Sequence, residues 1–193
     1  MNYLAHAALS GEKEEILIGN FIADFVRGSQ IGLYSDDIKQ GIYLHRKIDM
    51  FADTHPYCKA SSQLLQPNLG KYASVVVDVF YDHFLAVHWE KFNTQNLGDF
   101  AQKTYQILEN HKEILPEKPQ RILPYMQKQN WFLGYADIAN IRHALMRLAQ
   151  RAKYANNIAQ ATDLLEKYYH ELEHHFLAFF PDIQAYVESE MPK

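Results

Sequence analysis

Residues 75–84 read VVVDVFYDHF, and this stretch decides how the chain folds. Valine, phenylalanine and tyrosine mark it as a buried segment, yet Asp78 and Asp82 stand inside it. Four residues apart, the two carboxylates share one face of a helix, one turn from each other. An unpaired carboxylate in apolar surroundings costs several kcal/mol, on the order of the effective penalty for a buried ion. A cation, a hydrogen-bond network or protonation has to offset that. His83 follows at once, so the residue types point to a metal site on a buried helix.

Working outward, nearly every segment repeats at the helical period, and no alternating run is followed by a hairpin turn. The spacing predicts helices at 13–27, 36–52, 71–92, 97–114, 119–132, 135–154 and 157–179, with a short one after Pro181. Gly28, Pro56, Pro67, Pro116, Gly134 and Pro181 punctuate them. The expected fold is therefore all-α, a single compact helical domain over residues 1–193. With 48% hydrophobic and 22% charged residues, the chain has enough apolar material for one proper core. It holds no apolar run of membrane-spanning length. The first residues, MNYLAHAALSGEKEE, lack the basic start and apolar centre of a secretory signal, and a lone Cys58 suits a reducing compartment. A cytoplasmic location is expected.

Two further helices repeat the oddity of the first stretch. In 13–27, Leu17 and Phe21 define an apolar stripe on which Asp24 falls. In 36–52, Ile38 and Ile42 define the stripe that His45 and Asp49 continue, and Asp53 extends it. Taken singly, each has an ordinary explanation: Asp24 pairs with Arg27, and His45 with Asp49 one turn on. The coincidence of ligand-type residues on three inner faces favours a metal centre of Asp24, His45, Asp49, Asp78 and Asp82. Carboxylates plus imidazole without thiolates suit Mn, Mg, Fe or Zn. An ion so held favours a phosphate ligand, which Arg27 beside it would help to neutralise.

Residues 170–174 spell HELEH, the zinc-protease pattern. Charged neighbours such as Glu166, Lys167 and His175 mark that helix as a wet face, so the match is read as chance. The net charge of −4 hides an asymmetry, because His111–Lys153 carries eight Lys/Arg against three acids. The balance is too acidic overall for nucleic acid, and an acidic protein partner fits better. In 135–154, Ile138, Ile141, Leu145, Leu148 and Ala152 form the core stripe, leaving His143, Arg147 and Arg151 opposite as the expected partner-binding line.

Four blocks in order, MNYLAHAAL, GNFIADFVRG, GIYLHRKIDMFADTHP and VVVDVFYDHFLAVHW, resemble the acyl carrier protein phosphodiesterase family. The resemblance is specific through about residue 90. It implies an all-α fold distantly akin to the HD-type metal phosphohydrolases and dependence on a divalent metal, Mn2+. It also implies hydrolysis of the phosphodiester joining 4′-phosphopantetheine to a serine of holo acyl carrier protein, an acidic protein. Asp24 stands in the ADFVRG block, His45 and Asp49 in the LHRKID block, and Asp78, Asp82 and His83 in the DVFYDHF block. On this expectation Arg27 neutralises the phosphate and His83 or His6 protonates the leaving serine oxygen. The alternatives are an HD-like phosphohydrolase of nucleotides or other small phosphodiesters, and a helical adaptor without catalysis.

Overall fold

The structure is a computed structural model describing residues 1–152 and 157–190, and every regular element among them is helical. In chain order the α-helices are α1 Tyr3–Ala8, α2 Glu14–Ile22, α3 Asp36–Thr54, α4 Pro56–Leu69, α5 Ala73–Val87 and α6 Trp89–Phe92. They continue as α7 Leu97–Asn110, α8 Glu117–Gln129, α9 Trp131–Gly134, α10 Ile138–Arg151, α11 Ala161–Lys167 and α12 Tyr169–Glu190. Short 3₁₀ turns join several of them, including Ala23–Phe25 directly after α2. No helix is long and apolar enough to cross a membrane.

Helix α5, which contains the opening stretch, lies at the centre. Val76, Phe80, Tyr81, Phe84 and Leu85 are fully buried, and burying each such side chain is worth about 1.5–3 kcal/mol. Against it α12 lays Phe176, Phe179 and Phe180, with Tyr81 and Phe176 at 5.4 Å between ring centroids. This packing explains why α12 runs through Pro181 instead of ending there as the sequence suggests. A proline inside a helix costs about 3 kcal/mol, and the burial of Phe179, Phe180 and Ile183 on either side outweighs it. Helices α1 and α4 were not expected. For α4 the signal was present in Pro56, whose fixed φ suits the first helical position. The helix expected over 135–154 is seen as α10 to Arg151; residues 153 and 154 lie outside the described residues.

Helices α2 and α3 cross at two glycines. A Cβ on Gly19 would sit 2.0 Å from the carbonyl oxygen of Ile38, and one on Gly41 would sit 2.2 Å from that of Ile16. Only bare backbone allows this approach. Asn20 and Asp24 are thereby carried alongside His45 and Asp49. Gly19→Ala is expected to destabilise the fold by about 1–3 kcal/mol or more through overpacking, lowering Tm by roughly 2–4 °C per kcal/mol for a chain of this length. Gly32→Ala, where a Cβ meets nothing within 4 Å, should leave Tm nearly unchanged. Equal melting temperatures for the two variants in thermal circular dichroism would refute the close crossing.

Candidate active site

The helices at the glycine crossing, together with α1, bring three side chains to one point. The nearest donor atoms of His6, His45 and Asp49 all lie within 4.8 Å of one another, a spacing that can hold a metal ion. His6 and His45 stack at 3.8 Å between ring centroids. Asp49 faces both, with Oδ1 3.2 Å from His6 Nε2 and Oδ2 3.2 Å from His45 Nε2. Asp24, carried past the end of α2 by the 3₁₀ turn, places Oδ1 3.3 Å from His45 Nε2.

Nδ1 of His6 is buried without a hydrogen-bond partner among the described residues, and Nε2 of His6 and of His45 face carboxylates at 3.2–3.3 Å without making a well-formed hydrogen bond. Buried polar atoms are rarely left so, and free imidazole nitrogens facing a carboxylate are the donor set a divalent ion takes. Asn20 prepares His45 for that role. Its backbone carbonyl oxygen lies 2.9 Å and its side-chain Oδ1 3.1 Å from His45 Nδ1, and donation there leaves the lone pair on Nε2. The Asn20 amide in turn donates to the carbonyl of His6 at 2.9 Å, tying α1 to α2.

The charges in the cluster are strongly coupled. Burial lowers the pKa of His45, but Asp24 and Asp49 outweigh it and raise the group to about 9. For His6 burial wins over Asp49 and pulls the pKa down to about 4. Burial also pushes Asp49 up, yet His45, His6 and the Met1 ammonium hold it well below the usual carboxylate range. Without an ion, then, a protonated His45 is the cation that Asp24 and Asp49 share.

The remaining residues singled out in the sequence are placed differently. Asp78 is joined to the cluster through the buried α-ammonium of Met1, which lies 3.0 Å from Asp78 Oδ1 and 3.3 Å from Asp49 Oδ1. Asp82 was expected beside it as a ligand, but it is fully buried and both its oxygens accept backbone N–H groups, from Leu4 at 2.9 Å and Ala5 at 3.0 Å. The hydrogen-bond network that a buried carboxylate demands is thus the first turn of α1. Burial raises Asp82 to about 7 despite those two bonds. His83, the next residue, points about 100° round the helix. Its Nδ1 lies 2.8 Å from the carbonyl of Tyr135 and its Nε2 3.2 Å from the hydroxyl of Tyr169, away from the cluster. Arg27 is exposed and only introduces the next 3₁₀ turn, its backbone N–H donating to Gln30 Oε1. In the HELEH segment the side chain of His170 is 97% exposed, and Glu173 pairs with His88 at 2.7 Å.

The cluster forms one end of a cleft of about 570 Å³, within the usual range for a ligand site. Besides the Met1 ammonium its cations are Lys118, Arg147 and Arg151, and its aromatic wall includes Tyr3, Phe21 and Trp131. Arg147 and Arg151, expected on an outer face, therefore turn into the cleft; exposed His143 lines a side hollow that meets it at Trp131. Sequence reasoning missed Asn20, Tyr3, Lys118 and Trp131. Asn20 had a signal, as a polar residue within the apolar run LIGNFI; the others had none. A second hollow of equal volume is bounded by residues 90–96 alone and gathers no groups from other elements.

A family model described as acyl carrier protein phosphodiesterase matches residues 1–183. The acyl carrier protein phosphodiesterase of Photorhabdus laumondii is 33% identical over 191 residues, covering 98% of this chain and 96% of its own. That of Serratia proteamaculans is 33% identical over 184 residues, with 95% of each chain covered. That of Yersinia enterocolitica is 31% identical over 191 residues, covering 98% of this chain and 99% of its own. No solved structure matches the chain, so the fold is assigned at the level of all-α.

Two variants separate the roles described here. Asn20→Ala keeps the backbone carbonyl at His45 but removes the side-chain oxygen beside it and the amide that holds His6, and should weaken divalent-metal binding by about 10-fold. Asp82→Asn turns an acceptor into a donor against the N–H groups of α1; it should lower Tm while leaving the bound metal per chain unchanged. Calorimetric titration and elemental analysis measure both, and an Asp82→Asn protein that folds normally but loses its metal would return Asp82 to the ligand set.

Proposed function

The chain belongs to the acyl carrier protein phosphodiesterase family, and from that membership and the cleft we propose that it hydrolyses the phosphodiester joining 4′-phosphopantetheine to a serine of holo acyl carrier protein. The observation that carries this is the meeting of the buried His6 and His45 ring nitrogens with Asp49 in a cleft that also carries Lys118, Arg147 and Arg151. His6, His45 and Asp49 would hold a divalent ion, with Asp24 the adjoining carboxylate; the donor set accepts Mn, Fe or Zn, and family membership favours Mn2+. When bound, such an ion supplies Lewis acidity toward a phosphoryl oxygen and lowers the pKa of water toward neutrality.

In the reaction a water oxygen bonds to phosphorus and gives up one proton, the bond from phosphorus to the serine oxygen breaks, and that oxygen takes up a proton. Water thus supplies the new P–O bond and, overall, the serine hydrogen. The phosphate stays with pantetheine, and the carrier leaves in its apo form. Asn20 keeps Nε2 of His45 turned to the centre, while Lys118, Arg147 and Arg151 offset the negative charge of the phosphate. We assign His6 to the ion-holding set rather than to proton transfer, because its Nε2 faces Asp49. The surplus of basic residues in 111–153 gives the acidic carrier a surface to approach, with exposed His143 at the rim. The lone free Cys58 supports a cytoplasmic setting.

Incubating the protein with holo acyl carrier protein and Mn2+ should convert the carrier to its apo mass, read by mass spectrometry, and a chelator should stop the conversion. His45→Ala should abolish it. Full activity in metal-free protein, or an unchanged carrier mass with metal present, would overturn the proposal. Raising the salt well above physiological strength, where the Debye length is about 8 Å, should raise KM for the carrier.

A further inference from the structure

Helices α8 and α10 present features that hydrolysis at the cluster does not by itself explain. Among the described residues, neither Arg147 nor Arg151 has a carboxylate within 4.0 Å, whereas nearby Arg142 faces Asp163 and Glu166 at 4.0 and 3.8 Å. Instead the Arg147 guanidinium lies over the ring of Trp131, 4.9 Å from its centroid, which holds the planar fork in place. Arg151 donates from Nε to the carbonyl of Arg147 at 3.1 Å, so its head group is held against the same helix. Two guanidinium groups fixed at a cleft wall without acidic partners make a site for a phosphate.

From that point a groove of about 220 Å³ leads away between α8 and α10. It shares Tyr3, Trp131, Arg147 and Arg151 with the cleft and adds Ile122, Tyr125 and Gln129. Tyr125 is 61% exposed. The passage therefore runs from the His–Asp cluster, past two arginines, along aromatic and aliphatic side chains to the surface.

Resting on the activity proposed above, we infer that this passage is the subsite for the prosthetic-group side of the substrate. Arg147 and Arg151 hold the phosphate, and the groove between α8 and α10 takes the neutral pantetheine chain. The two arms of the diester decide the orientation. The serine arm is part of a folded protein and cannot enter a groove of this size, whereas the pantetheine arm is a slender chain with apolar and amide segments. The phosphate remains on that arm after cleavage and gains a negative charge, so the arginines keep hold of the product. Free 4′-phosphopantetheine is accordingly a competitive inhibitor.

The test titrates 4′-phosphopantetheine and inorganic phosphate separately into the Mn2+-loaded protein. Wild type binds 4′-phosphopantetheine at least about tenfold tighter than inorganic phosphate, as aromatic and apolar contacts to a chain require. The double variant Arg147→Gln, Arg151→Gln loses about tenfold or more for both ligands. Tyr125→Ser, an exposed change, weakens 4′-phosphopantetheine severalfold and leaves inorganic phosphate unaltered. Equal affinity of wild type for the two ligands overturns the inference. So does a folded double variant that binds 4′-phosphopantetheine like wild type. Cleavage of holo carrier by the wild type is scored separately. A protein that cleaves the carrier but fails these titrations loses only the subsite, and one that passes them without cleaving the carrier loses only the activity.

Discussion

Everything at the candidate centre depends on two helices touching through bare backbone. Gly19 and Gly41 let α2 and α3 approach until a single methyl group on either would strike a carbonyl oxygen. At any ordinary helix separation of 8–10 Å, Asn20 would not reach His45, and Asp24 would not lie beside its Nε2. The same crossing lets the Asn20 amide hold the carbonyl of His6, so three elements are set by one contact.

Asp82 shows how a buried charge serves position instead of chemistry. Its two oxygens take the first free N–H groups of α1, the task an N-cap side chain performs when the chain supplies one. Asn2 makes no such bond. A carboxylate from the central helix thus anchors the N-terminal turn, while the Asn20 amide holds the carbonyl of His6. The cost of burying Asp82 is visible in its raised pKa, and what it secures is the attachment of the first turn of α1 to α5.

The cleft combines opposite electrostatics over a short distance. Acids and imidazoles lie at one end, suited to a cation; Lys118, Arg147 and Arg151 stand along the rest, suited to a phosphate. An ion and a phosphate brought together there would each lower the cost of the other. This arrangement agrees with membership of a phosphodiesterase family, and it accounts for a chain that is acidic overall yet basic between 111 and 153.

Helical periodicity and the composition were enough to determine an all-α chain, because period is a local property; proline was a weaker guide, since Pro67 and Pro181 lie inside α4 and α12. The apolar stripe ending in His45 and Asp49 was equally legible, since polar residues on an inner face must find partners; Asp24 stands exposed on the turn after α2 and reaches His45 from outside. What no local pattern contains is which partner each finds. Asp82 and Asp78 look alike in VVVDVFYDHF, yet one turns to backbone amides of α1 and the other to an ammonium group. Arg147 and Arg151 look like a surface line until α8 and α9 close a wall around them. Those choices rest on how helices distant in the chain pack, and only the tertiary structure settles them.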